Sequence, residues 1–529
     1  MICAMRANVC AGVGVLLLNA AAVCAGQAGV MNPAAMARVG TVDTRFQSYN
    51  IEMVEVTGGR FWKPYDSAPD AAAAKVSPSQ AGSQPGGINP SLYRYRAPID
   101  LGNAHLRMLA AALGPAYVRV SGTWENSTYF QDSDEPAPAK PPQGFNSVLT
   151  RQEWKGVVDF ARAVHDNIVT SFAISAGTRD AAGVWTPTQA QALLAYTKSI
   201  GGSIAAAEFM NEPTFAEMGG APHGYDAQAY ARDFQVFHTW VKAQAPDMLV
   251  LGPGGVGEGS SLAPPGMHLV STESIFEATG PVFDAVSYHS YGAVSSRCSM
   301  GSAAGTSEAA ALSEEWLGRG EHIESYYSAL RDRFEPGKPL WDTETAQAAC
   351  GGDRWAKTFL DSFRYLNQLG SLARRGVQVH MHNTLAASDY GLLDEKTYEP
   401  RPNYWAALLW HRLMGATVLD PGPSPTPALH IYAHCTPGTP GGVTLLAINA
   451  DRDQGHPLRI PKGGLRYTLS ARELLQPHVE LNGKDLSMDE DDDELPPIIG
   501  VPEPAGNALM PAASITFMAF PKAKNASCK

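Results

Sequence analysis

Two glutamates stand directly after short apolar segments and have the chemistry of a catalytic pair. Glu212 follows Asn211 in the segment Glu208-Phe-Met-Asn-Glu-Pro213, and Glu344 lies in Leu340-Trp-Asp-Thr-Glu-Thr345. Cleavage of a glycosidic bond needs a carboxylic acid that protonates the leaving oxygen. With retention of configuration, it also needs a carboxylate about 5–5.5 Å away that attacks the anomeric carbon. Taken alone, Asn-Glu-Pro would equally fit a plain turn or helix start, so the second glutamate is what makes the pair informative.

The roles of the two glutamates follow from their neighbours. Glu212 is predicted to be the acid, because a nearby carboxylate disfavours a second negative charge and keeps its proton in place. Asn211 is placed to hydrogen-bond a sugar 2-hydroxyl, a contact that strengthens in the transition state of glycoside hydrolysis.

The elements that must position these side chains form a regular alternation. Eight short apolar runs alternate with amphipathic stretches of helical spacing, the pattern of parallel strands with crossover helices. We therefore predict an α/β fold, a (β/α)8 TIM barrel, with Glu212 and Glu344 after strands four and seven at the carboxyl end. The predicted strands are Phe46–Val54, Ala116–Ser121, Ile168–Ser175, Ile204–Met210, Met248–Leu251, Phe283–Tyr288, Pro339–Thr343 and Val377–His382. The predicted helices are Gln152–His165, Pro187–Ile200, Ala227–Ala245, His322–Arg333 and Arg354–Arg375.

After about Leu413 the pattern changes to short strands and turns, which predicts an appended antiparallel β-sandwich. We divide the chain into a signal peptide (1–25), the catalytic barrel (26–412) and the sandwich domain (413–529). Residues 35–42 are a candidate edge strand of the sandwich. The strands predicted there are Leu429–His434, Val443–Asn449, Tyr467–Ala471, Val479–Leu481 and Ser514–Phe520.

The N-terminal residues have the features of a secretory signal. Arg6 precedes an apolar run, Ala11–Leu18, that is too short to span a bilayer, and cleavage after Ala25 is plausible. We expect a secreted or periplasmic protein without a membrane span; a lipoprotein anchored at Cys24 is the alternative. Cleavage leaves four cysteines that allow three pairings in an oxidising compartment and fit no zinc motif: Cys298, Cys350, Cys435 and Cys528.

The net charge of the chain bears on what kind of molecule it could bind. The chain has 40 Lys+Arg against 52 Asp+Glu, a net charge of -12, which argues against a nucleic-acid-binding protein. Six of the acids form the run Asp489–Glu494. We interpret this run as a solvated loop, since it lacks the alternating spacing of a calcium loop.

Several ordered motifs make the chain resemble glycoside hydrolase family 79, the family of heparanases and bacterial β-glucuronidases. The resemblance covers most of the mature chain. The motifs are Gly114-Pro-Ala-Tyr-Val-Arg-Val-Ser-Gly-Thr123, Phe209-Met-Asn-Glu-Pro213, Ser287-Tyr-His-Ser-Tyr291, Glu344-Thr-Ala-Gln-Ala-Ala-Cys-Gly-Gly352, Ser388-Asp-Tyr-Gly-Leu-Leu-Asp-Glu395 and Pro402-Asn-Tyr-Trp405.

This resemblance implies a set of site residues. It makes Glu212 the acid/base and Glu344 the nucleophile. It also implies that the backbone N–H groups of Gly351 and Gly352, with the Tyr390 hydroxyl, hold a uronate carboxylate. Consecutive glycines suit that role because backbone can approach an anion closely there. By the same resemblance, further residues line the subsite or contact sugar hydroxyls: His289, Tyr291 (which would orient Glu344), Glu52 and Thr123.

Two departures from the family pattern bear on the substrate. Cys350 stands where heparanases usually carry Tyr, and a disulfide from Cys350 to Cys298 would join two active-site loops. Heparanases that cut sulfated chains flank the cleft with basic clusters, whereas the basic residues are scattered here. Few sulfate contacts are therefore expected, which favours a terminal, weakly sulfated or unsulfated β-glucuronide.

The sequence thus predicts a retaining β-glucuronidase that uses no cofactor and no metal. We expect a monomer whose partner is a β-glucuronide-containing oligo- or polysaccharide. Two alternatives stay open: an endo-acting heparanase or hyaluronan-type endo-β-glucuronidase, which the loops Ser67–Pro90 and Ser295–Gly318 would decide, and a non-catalytic carbohydrate-binding protein.

Overall fold

A computed structural model describes residues 29–67, 89–260, 269–298, 305–489 and 494–529. The predicted signal peptide lies outside the described residues. So do nearly all of the loop Ser67–Pro90, part of the loop Ser295–Gly318 and the middle of the acidic run Asp489–Glu494.

Eight parallel strands close into a barrel, which confirms the predicted TIM-barrel fold. Each strand pairs in parallel with the next along the chain, and the eighth pairs with the first. The first four strands are Gln47–Glu52, Tyr117–Ser121, Asn167–Thr170 and Ile204–Glu208, and the last four are Leu249–Gly255, Ala285–Tyr291, Leu340–Ala346 and Val377–His382.

A helix follows each barrel strand and covers the outside of the barrel. The helices are Ala104–Leu113, Arg151–Val164, Thr188–Ser199, Ala227–Gln244, Thr272–Thr279, Arg319–Phe334, Phe359–Arg375 and Pro402–Leu413. The five predicted helices are among them, with shifted ends. The first predicted strand ran too far, because Met53–Thr57 is helical. The Glu52 and Glu55 side chains form a capping box there and start a helix directly after the strand.

The inside of the barrel is apolar at the bottom and charged at the top. Side chains from all eight strands except the first fill the bottom as one buried cluster: Tyr117, Val169, Ala206, Leu251, Ala285, Trp341, Val379 and Met381. The buried charged residues Arg119, Glu208 and Glu344 come later in their strands, toward the carboxyl ends. The apolar layer therefore supports the polar layer from below.

The C-terminal part forms two further β-sheets. The larger sheet has nine strands, in the order Arg38–Thr41, Thr417–Leu419, Leu429–Cys435, Val443–Asn449, Ser514–Phe520, Gly464–Ser470, Val479–Leu481 and Lys484–Leu486, with Val501–Glu503 pairing beside Gly464–Ser470. The smaller sheet consists of Gly29–Val30, His456–Ile460 and Gly506–Met510. This confirms the additional antiparallel domain, in which the strand Arg38–Thr41 pairs antiparallel with Thr417–Leu419.

The larger sheet has two buried faces. One face shares a core with the smaller sheet, to which Leu445, Leu458 and Met510 contribute. The other face supplies Leu446, Ile448 and Phe517 to the core that also contains the barrel helices. The domain is thus packed against the outer helices of the barrel by apolar contact.

Within the described part of the chain, none of the helices combines the length and apolar character needed to cross a lipid bilayer.

Candidate active site

The barrel brings the two glutamates together. Glu212 lies in the loop after the fourth strand, and Glu344 lies in the seventh strand. Single side-chain atoms of Glu212, His289 and Glu344 all lie within 4.8 Å of one another. This separation matches carboxyl pairs that work by nucleophilic attack, whereas pairs that leave room for an attacking water stand about 6.5–9.5 Å apart.

The backbone at Glu212 is strained in a way typical of functional sites. Glu212 has φ 47° and ψ 63°, in the left-handed region that residues other than glycine rarely adopt. A 3-10 turn begins at the next residue, Pro213. The Asn126 side chain holds the preceding residue from both sides, since its Nδ2 donates to the Asn211 carbonyl and its Oδ1 accepts from the Asn211 N–H, both at 2.9 Å.

Arg119 connects Glu344 with Asn211, the residue before Glu212. It was not among the site residues predicted from the sequence. This side chain is 1% exposed and projects from the second strand. Its Nη1 donates to Glu344 Oε2 and its Nη2 donates to Asn211 Oδ1, each at 2.8 Å. The sequence feature that could have identified Arg119 is its place in a mostly apolar strand, Tyr117-Val-Arg-Val-Ser121. A guanidinium buried there requires anionic partners.

Asn211 is fixed in orientation by Arg119. Since Arg119 only donates, the atom 2.8 Å from its Nη2 is the amide oxygen, and the amide nitrogen points away. That nitrogen makes a long contact of 3.5 Å to Thr123 Oγ1. The arrangement leaves Asn211 Nδ2 as the donor available to a substrate hydroxyl, with Thr123 beside it.

His289 lies beneath the two carboxylates and is fully buried. Its Nδ1 is 3.0 Å from Glu212 Oε1 and 3.7 Å from Glu344 Oε2. Its Nε2 is 3.2 Å from Nη2 of Arg119. The positive charge of the guanidinium disfavours a proton on Nε2, so Nδ1 carries the hydrogen that points to Glu212.

Glu344 receives two hydrogen bonds, one on each carboxylate oxygen. The Tyr291 hydroxyl donates to Oε1 at 2.6 Å, and Arg119 donates to Oε2. Asn383, at the end of the eighth strand, in turn donates to the Tyr291 oxygen at 3.1 Å. Asn383 was missed by the sequence analysis, since no motif marked it.

Glu212 is suited to hold a proton. Burial raises the pKa of its carboxyl, and the charge of Glu344 raises it further, while the hydrogen bond from His289 lowers it. The net direction is upward, so Glu212 is protonated at a higher pH than an ordinary glutamate. The surroundings of Glu212 therefore suit it to give a proton to a bound substrate.

Glu52 adds a third carboxyl to the same pocket. Burial raises its pKa well above the usual value, and Glu344 adds to the effect. Asn383 donates to its Oε1 at 3.1 Å, and its Oε2 has no hydrogen-bond partner among the described residues. Glycine is required at Gly122, because a Cβ there would lie 1.6 Å from Glu52 Oε2. The buried carboxyl is a candidate partner for a sugar hydroxyl.

The two consecutive glycines lie beside Tyr390. Gly351 and Gly352 have φ of 82° and 81°, and Tyr390 is 2% exposed. The Gly351 carbonyl accepts from Ser388 Oγ at 3.0 Å, which joins the glycine loop to the loop that carries Tyr390. The Gly352 N–H donates to the Ala348 carbonyl at 3.2 Å, so this amide already has a partner within the turn. The Tyr390 oxygen lies 3.3 Å from Asn383 Nδ2.

A disulfide and a buried ion pair hold this loop in place. Cys298 is bonded to Cys350, directly before the glycines, as proposed from the sequence. Arg297 pairs with Asp389 at 2.6 Å and donates to the Gly352 carbonyl at 3.1 Å. The loops after strands six, seven and eight are therefore connected around the glycine pair. The second disulfide, Cys435–Cys528, lies in the sandwich domain.

Aromatic side chains form one wall of the site. Trp62 stacks on Tyr93 at a centroid distance of 4.5 Å, and Phe61 packs against Trp124 at 5.1 Å. The same apolar cluster contains Tyr291 and Tyr390. A Cβ at Gly351 would come within 2.6 Å of Trp62 Cβ, so the wall directly adjoins the glycine pair. Flat apolar faces beside polar groups are suited to a sugar ring.

Glu212, His289 and Glu344 are also the described side chains that come closest to a metal-binding set. Glutamate and histidine could bind a divalent ion such as zinc. The Arg119 guanidinium, however, already lies 2.8 Å from Glu344 Oε2. Its positive charge would repel a cation at this position, so the arrangement fits acid–base and nucleophilic chemistry better.

The chain was also compared with known proteins. No protein-family model matches the chain. Heparanase from Mus musculus is 28% identical over 502 residues, which cover 81% of this chain and 88% of that protein. Baicalin-beta-D-glucuronidase from Scutellaria baicalensis is 44% identical over 101 residues, or 19% of each chain. The structure of a 4-O-alpha-L-rhamnosyl-beta-D-glucuronidase from Fusarium oxysporum aligns over 93% of this chain and 99% of that one, with a TM-score of 0.59. The sequence identity is 12%, so this similarity concerns the fold alone.

Fold, site and relatives together define a glycoside hydrolase. In sequence the chain is similar to proteins named as heparanases and as a β-glucuronidase, the enzymes of the type grouped in glycoside hydrolase family 79.

Proposed function

We propose that the chain is a retaining β-glucuronidase that acts by double displacement. The observation that carries this proposal is the spacing of Glu212 and Glu344, whose oxygens lie within 4.8 Å of each other and of His289 Nδ1. The pKa of Glu212, raised chiefly by burial, supports its role as the acid, and the hydrogen bonds from Tyr291 and Arg119 that hold Glu344 in place support its role as the nucleophile.

In the first step Glu344 attacks the anomeric carbon while Glu212 gives its proton to the leaving oxygen, which breaks the glycosidic bond. A covalent glycosyl ester on Glu344 results. In the second step Glu212 takes a proton from water, the water oxygen bonds to the anomeric carbon, and Glu344 leaves as the carboxylate. Asn211 Nδ2 binds the 2-hydroxyl, and Arg119 and Tyr291 hold Glu344 in place between the steps.

The preference for a glucuronide is supported by the Gly351, Gly352 and Tyr390 region. A uronate carboxylate there would accept from the Gly351 N–H and the Tyr390 hydroxyl, with the Gly352 N–H shared with Ala348. The relatives named as heparanase and β-glucuronidase support the same sugar.

The substrate is proposed to be a terminal, unsulfated or weakly sulfated β-glucuronide. Described basic residues near the glycine loop already have carboxylate partners: Arg297 pairs with Asp389, and Arg354 and Lys357 pair with Asp66. Few of these charges are therefore free to bind sulfate groups.

Export to an oxidising compartment is part of the proposal. The two disulfides use all four cysteines that follow the predicted signal peptide. Residues 1–25, whose composition suggested the signal, lie outside the described residues.

Turnover of an aryl β-glucuronide, with an aryl β-glucoside in parallel, tests the proposal. Cleavage of the glucuronide alone is expected. If neither is cleaved and digests of glycosaminoglycans show internal chain cleavage, the enzyme is endo-acting. If neither substrate nor polymer is cleaved but glucuronide binds, the chain is a carbohydrate-binding protein.

A further inference from the structure

One buried carboxylate at the centre of the barrel has no part in the reaction steps. Glu208 ends the fourth strand, four residues before Glu212, and its side chain is 0% exposed. Burial by itself would raise the pKa of Glu208, but Arg119 and several hydrogen bonds lower it overall. Glu208 is therefore an ionised group that water cannot reach, and its charge needs an explanation.

The carboxylate of Glu208 reaches across the barrel to three other strands. Oε2 accepts from Arg119 Nε at 3.1 Å and from Arg119 Nη2 at 2.8 Å. Oε1 accepts from Ser287 Oγ at 2.7 Å and from Thr343 Oγ1 at 2.8 Å. A Cβ at Gly254 would come within 3.1 Å of Oε1, so the carboxylate is also closely packed. Four hydrogen bonds fix both of its oxygens.

The position of Arg119 depends on this contact. A guanidinium is planar, so fixing Nε and Nη2 against one oxygen fixes the plane and thereby the direction of Nη1. Nη1 is the atom that donates to the nucleophile Glu344, and Nη2 also sets the amide orientation of Asn211. Arg119 forms direct ion pairs with Glu208 and Glu344. Without Glu208, only the pair with Glu344 would remain, and Arg119 would be free to move toward it.

We propose that Glu208 is a positioning residue for the hydrolytic reaction: anchored by Ser287 and Thr343, it holds Arg119 and thereby sets the geometry of Glu344 and Asn211. This inference rests on the roles given to Glu344 and Asn211 in the proposed function. A purely structural Glu208 would affect stability and leave the kinetics of the folded enzyme unchanged.

The Glu208→Gln variant tests the proposal through the rate and its pH dependence. Since Glu344 and Asn211 act in the transition state, kcat for an aryl β-glucuronide should fall on the order of 10- to 100-fold, with a smaller change in KM. Loss of one buried negative charge weakens proton binding by the neighbouring carboxyls. Both limbs of the kcat/KM profile should therefore move to lower pH, by about one unit. The charged and titratable groups that face Glu208 or the catalytic pair are Arg119, His289, Glu52, Tyr230, Tyr291 and Tyr390.

Thr343→Val is the matched control, because it removes one hydrogen bond to Glu208 and keeps the charge. Its kcat should fall less than about fivefold, and its pH profile should stay in place. If Glu208→Gln does not fold, the double variant Ser287→Ala/Thr343→Val replaces it. That variant frees Oε1 from both anchors, and a fall in kcat with an unmoved pH profile is expected.

Wild-type kcat and an unmoved pH profile in folded Glu208→Gln would overturn the inference, as would wild-type kcat in the double variant. The wild-type protein is measured alongside. Absence of turnover by the wild type would contradict the proposed function, whereas wild-type turnover with unaffected variants would contradict the role of Glu208 alone.

Discussion

Nδ1 of His289 lies 3.0 Å from Oε1 of Glu212, the carboxyl assigned to protonate the leaving group. Arg119 approaches the other ring nitrogen and leaves the Nδ1 hydrogen for Glu212. His289 therefore donates to one oxygen of the acid and leaves the second oxygen to carry the catalytic proton. The sequence predicted that His289 lines the sugar subsite, and in the structure it contacts Glu212 and Glu344.

Replacement of His289 by Ala should move the alkaline limb of the kcat/KM profile to higher pH. The hydrogen bond from His289 lowers the pKa of Glu212, so its loss raises that pKa. Since Glu212 must be protonated in the free enzyme, activity then persists to a pH higher by roughly 0.5–1 unit. The measurement is the pH dependence of aryl β-glucuronide hydrolysis. His289→Asn, which offers an amide N–H near the place of Nδ1, should keep the limb closer to its wild-type position. If the alkaline limb of His289→Ala stays at the wild-type pH or moves to lower pH, this role of His289 is contradicted.

Gly351→Ala should weaken binding of the glucuronide. The added Cβ would come within 2.5 Å of Ser388 Oγ and 2.6 Å of Trp62 Cβ, so the loop must shift away from the substrate carboxylate. Loss of hydrogen bonds to a charged group is worth about 1.5–3 kcal/mol, which predicts a KM increase of about 10-fold or more.

Gly376→Ala is the control, because Gly376 also has a positive φ but an added Cβ would meet no neighbouring atom among the described residues. Gly376 has φ 89°, and nothing lies within 4 Å of an added Cβ. It should lose about 1–2 kcal/mol of unfolding free energy from backbone strain and keep the wild-type KM. Equal KM values for the two variants would count against the glycine pair as a carboxylate site.

Removal of the Cys298–Cys350 disulfide should raise KM more than it lowers kcat. The bond ends at the residue before Gly351 and connects it to the loop after strand six. The Cys298→Ser/Cys350→Ser variant should therefore show a KM increase of about 3- to 10-fold, because the carboxylate site is held less rigidly.

The Cys435→Ser/Cys528→Ser variant separates stability from binding. This disulfide lies in the sandwich domain, so its loss should cost about 2–5 kcal/mol of unfolding free energy without a change in KM. A rise in KM in both variants would indicate a general loss of stability.

The parts of the fold that the sequence predicted are those with strong apolar patterning. All eight barrel strands were located because a strand buried on both faces appears as a continuous apolar run. Three barrel helices were missed, including Thr272–Thr279, which is short, and Pro402–Leu413, which is apolar on all sides and so lacks helical periodicity. The smaller sheet was missed because its strands are only two to five residues long.

The candidate site was predicted where residue type and strand end coincide, as for Glu212 and Glu344. Arg119, Glu208 and Asn383 were not selected, since their importance arises from contacts between strands far apart in sequence. Glu208 and Thr343 are 135 residues apart, and no local pattern announces such a contact.

The most direct test of the central claim is trapping of the covalent intermediate with a glucuronide inactivator that forms a slowly hydrolysed ester, followed by mass spectrometry of the labelled peptides. If Glu344 is the nucleophile, one sugar per protein is attached to Glu344, and Glu344→Gln carries no label. Attachment to another residue, or turnover of aryl β-glucuronide with inversion and no label, would rule out this mechanism.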